Sequence, residues 1–314
     1  MKTSGGAARR LVSHTAIYLA CLAAFEAHAQ SICSVPIVVS DTQCTVTPGT
    51  TLTAGASQTG VSASGATGVV TANGITINLT GAGATGAFAQ NGALVTTDNT
   101  LVDTTATTAA TIVNQFGLRA IGSGSRITGT LTQILIGPPA SGAANNLHGV
   151  SAEGGASIEL TDATVSALGG ANSLDSNAVQ ATGAQSRVAL TRGTLQTASR
   201  GAFGAAALDG GAVTLTGTTV TTTGVQNVTT LQGSHALYAN GSNSRVTATG
   251  VNVLVSGTLA NAFRADNRGV VEAIGSTLAT TASGTAADPA AVARAATGGR
   301  VLISQRSKMS GRGQ

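Results

Sequence analysis

The sequence predicts an all-β fold, a parallel β-helix (solenoid) of about eight rungs, and three observations carry that prediction. The first is composition: 314 residues hold 42 Gly and no Trp, with 9% charged and 2% aromatic against 42% apolar residues. Intrinsically disordered chains are normally poor in aliphatics and rich in charge, whereas Val, Leu, Ile and Ala are plentiful here, so the chain can bury a thin aliphatic core. The second is propensity. Gly and the β-branched Thr and Val disfavour helix, and Thr and Val favour strands. The third is a repeat.

The repeat reads apolar, any residue, Ala, then a Gly or Asn turn, then Val or Ile with another apolar residue seven places on. It runs through "GVSAEGGASIELTDATVSA", "AVQATGAQSRVALTRGTLQTA", "AAALDGGAVTLTGTTVTTT", "ALYANGSNSRVTATGVNVLVS", "AFRADNRGVVEAIGSTLATT" and "AVARAATGGRVLISQRSKMS". The Ala anchors are Ala152, Ala181, Ala207, Ala239, Ala265 and Ala295. The second and third anchors keep one spacing: Ile158 and Val165, Val188 and Leu195, Val213 and Val220, Val246 and Val253, Val271 and Leu278. Variation falls outside these pairs, as in a rung with two fixed strands, a tight turn and one variable loop. Period-two alternation, as in Val213 and Leu215 against Thr214 and Thr216, turns one face inward. A strand that short cannot bury its face alone, so like residues must stack on like from rung to rung. Rungs of this length leave no room for a crossover helix, and Gly after the first strand supplies a corner. "GLRAIGSGSRITGTLTQILIG" and "AFAQNGALVTTDNTLVDTTA" extend the pattern upstream, with the Thr104 to Thr111 and Pro138-Pro139 stretches as loops.

The first residues read as a Sec signal peptide. Lys2, Arg9 and Arg10 precede the apolar run Ala16 to Phe25, and small residues before "Gln30" place cleavage between Ala29 and Gln30. The run is too short to span a bilayer stably. Leu11-Val12-Ser13 lacks the second apolar residue of a twin-arginine signal, and Cys21 lies inside the apolar run where a lipobox would follow it. The expected organisation is signal peptide 1–29, an N-terminal cap region 30–67, and a β-helix over 68–314. In an exported chain the two remaining cysteines, Cys33 and Cys44, are expected to pair as a staple.

Chemistry is sparse in this sequence. Arg119 onward carries thirteen basic and eight acidic residues, spread singly, so nothing forms a nucleic-acid groove or stacking platform. HExxH, GxSxG and a Walker loop are all missing. His148 and His235 read as surface residues in turns. The carboxylate groups Asp98 with Asp103, Glu153 with Glu159 and Asp162, and Asp266 with Glu272 do not repeat in adjacent rungs as a Ca²⁺ or sugar site would require. Phe88, Phe116, Phe203, Tyr238 and Phe263 are too few for a sugar platform; Phe88, Phe263 and Leu237 are assigned to corresponding inward positions. No catalytic residue, metal or cofactor is expected.

Together, the signal peptide, the short Cys loop and the Gly- and Thr-rich rungs with "ANG", "GSNSRV" and "GGRV" turns resemble the passenger domain of a Gram-negative autotransporter (type V secretion), of the pertactin-like adhesin group. The resemblance covers about Gln30 to Gln314. It implies a right-handed β-helix, displayed at the cell surface through a β-barrel translocator and serving adhesion or immune evasion through a host-surface or extracellular-matrix ligand. No barrel strands follow "GGRVLISQRSKMSGRGQ", so the chain is read as a fragment, a truncated reading frame or one piece of a split gene, periplasmic unless joined to a barrel. Two alternatives stand beside this: a β-helical polysaccharide lyase or hydrolase using Asp266 and Glu272, and a two-partner secreted exoprotein.

Overall fold

The computed structural model describes residues 31–104, 112–137, 144–169, 173–283, 291–304 and 306–311. The expected signal peptide, its cleavage site, the Pro138-Pro139 segment and most of the Thr104 to Thr111 stretch lie outside the described residues. Ile32–Gln314 form one compact unit, and its described residues are strands, turns and connecting chain without helix.

Each turn of this solenoid supplies strands to three faces. The first face is a sheet of ten parallel strands running from Ile37–Ser40 to Ala293–Ala295. Eight of these, from Thr59–Ser64 to Asn261–Asp266, are six residues long and match the rung count expected from the repeat; a shorter strand flanks them at either end. The second and third faces merge into one sheet because Ser157–Ala167, Arg187–Thr197 and Ala212–Thr222 each run around the corner between them.

The anchors stack as the repeat requires. On the first face Ala120, Ala152, Ala181, Ala207, Ala239, Ala265 and Ala295 pair in sequence along one column. On the second, Ile158, Val188, Val213, Val246 and Val271 form another, and on the third Val165, Leu195, Val220, Val253 and Leu278 a further one. All ten of these second- and third-face residues are at most 3% exposed. Each contributes on the order of 2 kcal/mol by leaving water, while the parallel ladders satisfy the backbone from turn to turn.

Why three flat strands enclose so thin a core is decided by one small residue per turn. Three places before the Ala of every turn but the last stands Gly or Ala, Gly60, Gly86, Gly117, Gly149, Ala178 and Gly204 among them; before Ala295 it is Val292. A Cβ on Gly117 would sit 2.3 Å from Ile134 Cγ2, one on Gly149 2.3 Å from Val165 Cγ1, and one on Gly204 2.5 Å from Val220 Cγ1. The third-face column occupies that space. The corner between the second and third faces is a single left-handed residue, Leu131, Asp162, Arg192, Gly217, Gly250 or Gly275 in successive turns. The corner from the third face back to the first carries the loops of varying length, which is where the spacing between Ala anchors varies.

Cys33 and Cys44 are joined by a disulfide, and Cys33 packs against the first turn of the core. Within the expected cap region, Ile37–Ser40 pairs with Thr59–Ser64, which pairs on to Thr85–Gln90. Strand pairing therefore runs without interruption past residue 67. One inward assignment needs correction. Leu237 and Phe263 are partners in the buried column, but Phe88 pairs with Arg119 and points outward, half-buried; Ala87 holds the inward position, paired with Leu118.

Candidate functional site

Because the register is parallel, outward side chains also form columns, and each meets its counterparts one turn away. The most ordered column stands four residues before the Ala anchors on the first face. It reads Phe116, His148, Asn177, then Phe203, His235, Asn261: the same triad twice. The sequence reading missed it, although the spacing to Ala is constant.

In the first triad the rings of Phe116 and His148 stack with centroids 5.1 Å apart. Arg119 lies over Phe116, its guanidinium carbon 4.2 Å from the ring centroid, and forms a two-armed ion pair with Glu153 in the next turn at 2.9 and 3.0 Å. Burial alone would raise the Glu153 carboxyl, but the hydrogen bonds and charge of Arg119 and the Ser151 hydroxyl outweigh it and hold the group below its ordinary value. Asn146 gives its amide to Asn114 Oδ1, so its oxygen faces the imidazole and His148 Nε2 donates to it at 2.7 Å. Burial pulls the His148 pKa down to about 4, with Glu153 opposing and Arg119 adding to the shift.

In the second triad Phe203 stacks on both His235 and Tyr238, with centroids 5.9 and 4.5 Å away. The Tyr238 hydroxyl donates to Asp266 Oδ2 at 3.3 Å, and Arg264 Nε donates to the same oxygen at 2.8 Å. Asp266 Oδ1, buried, has no hydrogen-bond partner. Burial and the Asp266 charge push the Tyr238 hydroxyl well above its ordinary value. His235 Nδ1 accepts the Asn261 backbone N–H at 3.2 Å, which leaves the proton on Nε2, where it meets no acceptor. Burial first, then the charges of Arg264 and Arg294, hold this imidazole far below its ordinary pKa.

Both histidines are therefore buried, His148 at 6% and His235 at 0% exposure, and not surface residues as their neighbours in sequence implied. The reason is the variable corner: the incoming loop lies against the first residues of the strand, and a Cβ on Gly233 would sit 2.7 Å from His235 Cε1.

The candidate carboxylate pairs are not brought together. Asp266 is on the first face with Arg264, whereas Glu272 is on the second face with Arg245. Glu153, Glu159 and Asp162 are held by Arg119, Arg126 and Arg192 on the first face, the second face and the corner after it. The Arg192 hydrogen bond holds the exposed Asp162 carboxyl below its ordinary value. Asp98 Oδ1 accepts the Thr130 N–H at 2.8 Å in the adjacent turn. Asp103 lines a hollow of about 300 Å³ on the third face, beside Leu135 and Ser166, where burial raises its pKa against the Thr104 N–H. Among the described residues no group of three metal-ligating side chains converges.

Two larger hollows lie on the surface. One of about 560 Å³ is lined by Val35, Val38 and Gln58 near the start of the solenoid. The other, about 540 Å³, lies on the second face over Ala189, Ala212 and Thr214, with Glu159, Arg187 and Arg245 around it.

No protein-family model and no curated protein matches the chain. Among solved structures, the chain is similar to one in the cryo-EM structure of the Vag8–C1 inhibitor complex, at 15% identity and a TM-score of 0.39, over 82% of this chain and 75% of that one.

Proposed function

We propose that this chain is an exported passenger of autotransporter type, a solenoid displayed at the cell surface to engage a protein ligand as an adhesin or virulence-associated interaction protein. The observation that carries the reading is the unbroken parallel register of the first face from Ile37 to Ala295. Each completed turn templates the next, which suits a chain that crosses a membrane unfolded and folds as it emerges. The outward chemistry is laid out in columns along the faces, a form suited to extended contact with a macromolecule. A Sec signal peptide and a β-barrel translocator belong to this proposal, with the cell surface as its destination and no catalytic role.

The test is to fuse the chain to a heterologous barrel in a Gram-negative host. The expected result is digestion of the passenger by protease added to intact cells, and adherence to matrix-coated wells above that of the barrel alone. Retention in the periplasm would contradict it. A second reading, a polysaccharide lyase or hydrolase, is favoured by one observation, the buried Asp266 between Tyr238 and Arg264. It predicts turnover of a polyanionic glycan that disappears in Asp266→Asn.

A further inference from the structure

We infer that the trough on the second face over Thr214 is a carboxylate-binding site, with Arg187 as its receptor and an acidic peptide segment of the protein ligand as its occupant. The inference rests on the passenger reading only for the source of the ligand. The site itself follows from the register.

On the second face, arginine alternates with short or apolar residues from turn to turn: Arg126, Ser157, Arg187, Ala212, Arg245, Val270. Two places along each strand lies a neighbouring outward column: Thr128, Glu159, Ala189, Thr214, Thr247, Glu272. Arg126 reaches one turn forward to Glu159, and Arg245 reaches one turn forward to Glu272. By the same step the carboxylate for Arg187 belongs at Thr214, and threonine has none to offer. Arg187 takes part in none of the five ion pairs found among the described residues.

Space and charge agree at this one turn. Ser157, Ala189 and Ala212 are short, so the surface sinks into a trough of about 540 Å³ where the neighbouring turns carry Glu and Arg. A glutamate laid across Thr214 from outside would place its carboxylate where Glu159 and Glu272 stand for their arginines. Its methylenes would rest on the methyl groups of Ala189 and Ala212. A guanidinium suits such an acceptor because its planar N–H groups match both carboxylate oxygens. A peptide is favoured over a uronic-acid glycan because the lining residues include no aromatic ring on which a pyranose would stack.

The experiment titrates the soluble folded chain with fluorescein-labelled hexaglutamate, using hexaglutamine and a hyaluronan hexasaccharide as comparators. Arg187→Ala removes the receptor, Thr214→Glu supplies the missing carboxylate from within, and Arg192→Ala removes a paired arginine elsewhere. We expect salt-sensitive hexaglutamate binding that weakens about tenfold or more in both Arg187→Ala and Thr214→Glu, and is unchanged in Arg192→Ala. Protease resistance equal to that of the parent shows that the outward substitutions leave the fold intact. Binding that survives either substitution, or hyaluronan bound in preference to the peptide, would overturn the inference. Failure of surface display would count against the passenger reading and leave this titration standing, because no membrane is involved.

Discussion

The first face carries the triad of Phe, His and Asn twice, and the two copies differ in what stands three residues further along the strand. Beside Phe116 that residue is Arg119, which covers the ring and ties it to Glu153. Beside Phe203 it is Ala206, fully buried, and the vacant space is filled by Tyr238 from the next turn, which passes the contact on to Asp266. The asparagine keeps one task in both: Asn177 Oδ1 accepts the Phe203 N–H at 2.9 Å and Asn261 Oδ1 the Ala291 N–H at 3.0 Å. One backbone frame thus holds either a polar, half-open patch or a buried aromatic cluster. The choice lies in a single outward side chain, while the frame depends on the inward ones.

The comparison is broken most completely beneath both triads. Gly149→Val and Gly204→Val each force a side chain into third-face residues 2.3 and 2.5 Å away, Val165 and Val220. Both copies should lose their fold alike, at a cost of several kcal/mol, read as loss of protease resistance around each position.

Next in size, ring removal separates the copies. Phe203→Ala takes away a ring that is 8% exposed and should cost about 3 kcal/mol. Phe116→Ala, half-buried under Arg119, should cost about half as much. Chemical denaturation of the two variants side by side gives the ratio.

Acid then distinguishes the two imidazoles. Both are held neutral by burial, so the unfolded chain takes up protons first; stability is complete above pH 6.5 and falls below it. For His148 the loss runs from 6.5 to about 4, or about 3 kcal/mol at ~1.4 kcal/mol per unit. For His235, lowered well below its ordinary value by burial, the loss has the same sign as pH falls below 6.5. Asp103 and Asp175, raised by burial, act in the opposite direction. Denaturation followed between pH 7 and 4 should show a slope that His148→Gln reduces by about half, the remainder persisting through His235.

The smallest effect belongs to the exposed arginines. Arg126→Ala should cost less than about 1 kcal/mol, since its ion pair with Glu159 is half in water. A melting temperature within a few degrees of the parent is the expected reading.

How much of this was legible in the sequence depends on which way a side chain points. Inward columns announce themselves because burial admits few residue types: the Ala, Val and Leu anchors keep their spacing whatever the loops between them do. The outward triad had an equally fixed spacing, four residues before Ala, but its residue types change from turn to turn and repeat only after three turns. Phe88 misled because two apolar residues, Ala87 and Phe88, compete for one inward position and size favoured the wrong one. The burial of His148 and His235 was invisible, since it depends on how loops return over the first face. The open position at Thr214 becomes visible only once register sets it against Glu159 and Glu272.

The central claim is that these turns stack in one register with Val188 inward and Arg187 outward. The most direct measurement compares Val188→Asp with Arg187→Ala by circular dichroism and limited proteolysis. Val188→Asp places an unpaired charge in the apolar column and should abolish the cooperative melt and the protease-resistant core, whereas Arg187→Ala should melt as the parent does. Equal and mild effects of the two substitutions would contradict the register and the fold built on it.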